Sequence, residues 1–126
     1  MSTDNHKTIV SSNHFHDEIV DHDVIRNLQI LFEDNYENMI TIYVDTVQKL
    51  LRDIDQAIKT NSPENLYLAS HDLRTYSAHL GIAKLSTIAA KLENLGKHAC
   101  SKKAARLHEY ASDTFNVVEQ YLKESL

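Results

Sequence analysis

The sequence predicts an all-α fold: an up-down antiparallel four-helix bundle with a short extra helix at its N-terminus. Three observations carry this. Only two glycines and one proline occur in 126 residues, too few for the many turns of a sheet protein. Successive segments repeat apolar residues at three- and four-residue steps, the helical period. At 126 residues with 42% hydrophobic and 25% charged side chains, the chain is one domain able to bury a core without disulfides or metal.

Residues 1–20 are rich in Ser, Thr, Asn, Asp and His and read as a flexible polar leader, with Ile19 and Val20 tucked against the bundle. The bundle domain then occupies residues 21–126. Asp23 is the expected N-cap of a short helix carrying Val24, Ile25, Leu28, Leu31 and Phe32. A longer helix is expected from Asn35 to Thr60, with Tyr36, Met39, Ile40, Tyr43, Val47, Leu50, Leu51, Ile54 and Ile58 as its apolar stripe. Ser62-Pro63-Glu64 offers a capping hydroxyl before a proline at the first helical position, where the missing N–H costs nothing. The helix so opened runs to Leu80, where Gly81 interrupts it. The next runs from Ala83 to Ala99 on Leu85, Ile88, Ala89, Leu92 and Leu95, and Gly96 either bends it or ends it. The last, Ser101 to Lys123, presents Ala104, Leu107, Tyr110, Ala111, Thr114, Val117, Val118 and Tyr121 inward.

The net charge of −5 argues against nucleic acid and anionic membrane as partners. The single cysteine, Cys100, has no partner for an internal disulfide, fits a reducing compartment, and reads as a small, partly buried side chain. The first residues hold no apolar run suited to a signal peptide or a membrane span. These features point to the cytoplasm. With two glycines there is no room for a nucleotide-binding loop, so an ATP-using kinase is excluded.

The chemistry concentrates on the helix PENLYLASHDLRTYSAHLG. Leu66, Ala69, Leu73, Tyr76, Ser77 and Leu80 share one face, with Tyr76 turned inward to fill core. His71 lies roughly 160° from the centre of that stripe and faces solvent. Glu64, Leu68, Thr75 and Ala78 stand nearest it on neighbouring turns, with Arg74 slightly to one side. A neutral imidazole is a nucleophile at neutral pH, since its ordinary pKa lies near 6.5. Phosphorylated, it forms a labile phosphoramidate. A guanidinium one turn along can hydrogen-bond phosphoryl oxygens, and Ala78 leaves room for a partner to close over the ring. The plainer role for Arg74 is a surface charge pairing with Ser70 or Glu64. His79, roughly 80° round the helix, reads as a spectator or partly buried. His14, His16 and His22 with Asp17 and Asp21 are a weak metal signal in a flexible tail, and no Glu-x-x-His pair supports a di-metal bundle. No metal site is assigned.

Ser70-His71-Asp72-Leu73-Arg74-Thr75-Tyr76-Ser77-Ala78-His79-Leu80-Gly81, then Ile82-Ala83-Lys84-Leu85, then Ala89-Ala90-Lys91-Leu92-Glu93 resemble the signature of the histidine-containing phosphotransfer (HPt) domains, bacterial type. The histidine, the leucine two on, the glycine ten on and the later Leu-Glu pair fall at family spacing. DHDVIRNLQILFEDNYENMITIYVDTVQKLLRDI resembles the preceding helices, so the likeness runs from Asp21 to the C-terminus. The resemblance implies a phosphorelay intermediate, and the short chain reads as a free-standing module or as one cut from a hybrid kinase. His71 would accept a phosphoryl group from a receiver-domain aspartyl phosphate and pass it to another receiver, and Arg74 would stabilise the phosphate. Glu64, Leu68, Thr75 and Ala78 would form the docking surface. The expected partners are the receiver domains of hybrid sensor kinases and of response regulators, met by a monomer. No intrinsic cofactor is implied, Mg2+ being the receiver's. Arg74 replaces the family lysine, exchanging a point charge for a fork. Thr75 replaces a family glycine that resembles a clearance device, so a β-branched residue there is expected to narrow the range of partners, slow transfer or tilt the docking pose. That departure keeps a second reading in view, a receiver- or kinase-binding module acting by sequestration without accepting phosphate.

Overall fold

The computed structural model describes residues 19–99 and 102–126. Among these residues α1 (His22–Phe32), α2 (Tyr36–Lys59), α3 (Pro63–His79), α4 (Ala83–Lys97) and α5 (Ala104–Glu124) follow in order, with a 3-10 turn, Glu33–Asn35, between the first two. No strand occurs among the described residues. Loops of a few residues join α2 to α3 and α3 to α4, which makes neighbours antiparallel. Helix α3 packs between α2 and α4, and α5 closes the ring against α4 and α2. Val47, Ile54, Leu73, Leu85, Leu92 and Val118 are wholly shielded at the centre.

Helix α2 matches its expected span, with Asn35 and Thr60 as its caps. Ser62 occupies the N-cap of α3 and Pro63 the first helical position, but the Ser62 hydroxyl makes no capping bond. Backbone bonds close the turn instead, from Ser62 N to Ala57 O at 2.8 Å and from Leu66 N to Ser62 O at 3.0 Å. Pro63, with φ already helical, then starts α3 without help from the hydroxyl. Helix α4 stops at Lys97, two residues short of expectation, and Gly96 lies buried within its last turn. Helix α5 begins at Ala104 and adds Phe115 and Leu122 to the expected inner face, while Tyr110 is exposed beneath Lys84, whose Nζ lies 5.5 Å from the ring centre. Cys100 and Ser101 lie outside the described residues.

Helix α1 departs most from expectation. Its N-cap is Asp21, not Asp23: the Asp21 carboxylate accepts from Asp23 N at 3.0 Å and Val24 N at 3.4 Å, because the helix begins one residue before Asp23. Asp21 N in turn donates to Gly81 O at 2.7 Å. Gly81 has φ +72, and a Cβ there would stand 2.8 Å from Val24 Cβ. The α3–α4 turn is therefore built to receive the start of α1. Ile19 and Val20 are buried as expected, and Ile25 is the buried residue of α1. Leu31 and Phe32, read as part of the apolar face, are exposed together with Ile30. Amphipathic spacing marks which face is apolar, not whether a partner helix covers it.

Candidate functional site

The register of α3 decides what its middle turns show. Leu66, Ala69, Ser70, Leu73 and Ser77 are buried, which leaves His71 on the outward side with 44% of its side chain exposed. Tyr76 is exposed rather than core-filling. It sits at the edge of the buried stripe, where the small Ala69 fits against the bundle and a phenol ring must stay on the rim with its hydroxyl wet.

Three groups converge on the imidazole, and two of them, Tyr67 and Glu93, are not among those the sequence places beside it. Tyr67, four residues earlier on α3, stacks on the ring at 6.0 Å between centroids and 20° between planes. Glu93, on α4, places Oε2 2.9 Å from His71 Nδ1. Arg74 binds the same carboxylate as a fork, donating from Nε to Oε1 and from Nη2 to Oε2 at 3.3 Å, with Nη2 also 3.2 Å from His71 Nδ1. Glu93 is 15% exposed. The Arg74 hydrogen bond, aided by that of His71, outweighs desolvation and holds its carboxyl below the usual glutamate range. An ionised carboxylate only accepts, so Nδ1 carries the proton and donates it to Glu93. With Nδ1–H directed at Glu93, Arg74 Nη2 lies beside Nδ1 without bonding it, and in the neutral ring Nε2 holds the lone pair, with no hydrogen-bond partner among the described residues.

Arg74 therefore pairs with Glu93 rather than with Ser70 or Glu64, because its guanidinium swings across the α3–α4 seam. Ser70 faces inward and its hydroxyl has no partner there. Thr75 is half-buried, and its hydroxyl donates to the His71 carbonyl at 3.0 Å, so it is spent on the helix. Glu64 and Ala78 are exposed on α3. Leu68 is 53% exposed and lines an open groove of about 320 Å³ between α2 and α3, with Leu50, Ala57, Lys49 and Asp53. His79, at the end of α3, is exposed, with no hydrogen bond or ring contact among the described residues. Of the histidine-rich leader, His14, His16 and Asp17 lie outside the described residues. Asp21 is engaged as a helix cap, and His22 Nδ1 lies 2.7 Å from Tyr121 Oη. Among the described residues no three His, Cys, Asp or Glu side chains group to hold a metal ion.

Tyr67 was legible from the four-residue step that stacks side chains on a helix. Glu93 was visible as half of a Leu-Glu pair, but its bond to His71 spans 22 positions and needs the α3–α4 seam.

A helical bundle that presents one imidazole outward, its inner nitrogen clamped by an ionised carboxylate, is a scaffold for covalent chemistry at the outer nitrogen. The comparisons agree with that class. Residues 38–124 match the Hpt domain family, and the chain belongs to it. It is a histidine phosphotransfer carrier of phosphorelay signalling. The crystal structure of histidine-containing phosphotransfer protein B (HptB) from Pseudomonas aeruginosa PAO1 is similar to it, with a TM-score of 0.82 at 23% identity, over 84% of this chain and 92% of that one. Comparison with curated proteins finds no match.

Proposed function

We propose that His71 is the phosphoacceptor and that Nε2 is the reacting atom. What supports this is the Nδ1–Glu93 bond at 2.9 Å, which assigns the proton to the inner nitrogen and leaves the lone pair on the outer one. In the forward step Nε2 attacks the phosphorus of a receiver-domain aspartyl phosphate. The N–P bond forms, the P–O bond to the aspartate breaks, and the aspartate leaves as a carboxylate with the bonding pair. The ring becomes a phosphoimidazolium whose Nδ1–H still points at Glu93, so the carboxylate offsets the new positive charge. Transfer to a second receiver reverses these bonds. Arg74 Nη1 makes no hydrogen bond among the described residues and is the arm proposed to meet phosphoryl oxygens while Nε and Nη2 hold Glu93. Glu64, Leu68, Thr75 and Ala78 form the proposed docking surface for receivers of hybrid kinases and response regulators.

The reaction's Mg2+ belongs to the receiver, and the carrier works as a cytoplasmic monomer without ATP, nucleic acid or membrane. No helix among the described residues is long and apolar enough to cross a membrane. Incubation with a radiolabelled phosphoreceiver tests the reading: wild-type protein takes up label and H71Q takes up none. Full labelling of H71Q overturns the assignment.

A further inference from the structure

Gly96 lies in the last turn of α4, three residues beyond Glu93, and is buried. A Cβ at this position would stand 2.7 Å from Tyr67 N and 2.9 Å from both Tyr67 Cα and Pro63 O. All three neighbours are backbone atoms of α3, so no side-chain rotation relieves the overlap. The contact falls on Tyr67, the residue whose ring stacks on His71, and one turn from Glu93, the residue that holds His71 Nδ1. Gly96 does not end its helix, which runs on to Lys97. At this position the two helix backbones come into contact.

We propose that Gly96 is a positioning residue for His71: the missing side chain sets the α3–α4 separation at which Glu93 and Tyr67 both reach the imidazole. Relieving a Cβ at 2.7 Å means retreating to about 3.4 Å, where van der Waals contact is ordinary, a shift of roughly 0.7 Å. Carried along the bond, that shift moves Nδ1···Oε2 from 2.9 Å to about 3.6 Å, no longer a hydrogen bond. With the clamp gone the proton is free to occupy either ring nitrogen, and the fraction of His71 with a free Nε2 lone pair falls. Arg74 reaches Glu93 across the same seam, so its fork loosens with it.

For phosphotransfer the inference rests on the proposal that His71 Nε2 is the acceptor, yet its structural half is measurable without any phosphate. Imidazole 15N spectra of the unphosphorylated protein report the tautomer directly. Wild type shows the Nδ1–H form, and G96A shows a mixture while circular dichroism stays helical. Transfer from a phosphorylated receiver slows about tenfold in G96A. E93A slows it too, and G96A adds less than about twofold in the E93A background, because both act through one carboxylate. An unchanged tautomer in G96A, or slowing that multiplies fully in the E93A background, overturns the proposal. Should G96A fail to fold, E93D keeps the glycine and withdraws the carboxylate by one methylene. A mixed tautomer there supports the distance argument, and a pure Nδ1–H form sinks it. If wild type accepts no phosphoryl group, the functional reading fails, whereas the 15N spectra still decide the role of Gly96.

Discussion

An imidazole is a useful nucleophile only if one nitrogen keeps its lone pair free, and at His71 the choice between nitrogens is made by a carboxylate on another helix. Glu93 accepts from Nδ1 at 2.9 Å because Arg74 keeps it ionised. His71 and Arg74 were both legible in the sequence, since the helical period fixes which residues face outward. Their dependence on Glu93 was not, because periodicity describes one helix and the bond crosses two. The depressed Glu93 pKa carries a pH prediction. The carboxylate's contribution to stability is present above the ordinary glutamate value of 4.5 and is lost as pH falls through its lower value in the fold. Urea midpoints of wild type and E93Q should therefore differ most near neutrality and converge as pH falls below 4.5. Curves that stay parallel across that range would show that Glu93 is not held ionised by the pair.

At the scale of helices, the elements with a neighbour on their apolar side were the ones the sequence placed well. Helices α2 to α5 each bury a stripe against two others, and their spans agree with expectation to within three residues at every end. Helix α1 carries an equally periodic stripe, yet Leu31 and Phe32 stay exposed because pattern says nothing of a partner's presence. The two glycines behaved differently for a related reason. Gly81 stands at a helix end, where a left-handed residue is expected, and φ is +72. The cause of Gly96 lies on α3, out of reach of any local rule. Replacing Gly81 with Ala imposes about 1–2 kcal/mol of backbone strain, and the 2.8 Å approach to Val24 Cβ adds to it. G81A should thus unfold at lower urea, with exchange of the Asp21 amide, bonded to Gly81 O, accelerated further than that of the core. A G81A midpoint equal to wild type would contradict this account of the turn.

The molecule as a whole supplies a fixed platform and little else. A shielded core holds four helices together, and the proposed acceptor, His71, sits half-exposed on the outside of one of them with Nδ1 against Glu93. In the proposed reaction the receiver brings the aspartyl phosphate and the bundle brings an oriented lone pair. The fold class and the outward placement of His71 were readable because both are expressed in spacing. The proposed docking surface around Leu68 and Thr75 is a matter of shape against another protein, which spacing alone does not settle. The orientation of the lone pair is the claim on which the account turns. The most direct measurement is a 15N and 31P NMR spectrum of the protein carrying a phosphoryl group received from a receiver domain. The account predicts 31P coupling to Nε2 of His71 alone, with the proton retained on Nδ1. Coupling to Nδ1, or a phosphoryl group found on His79, would contradict it.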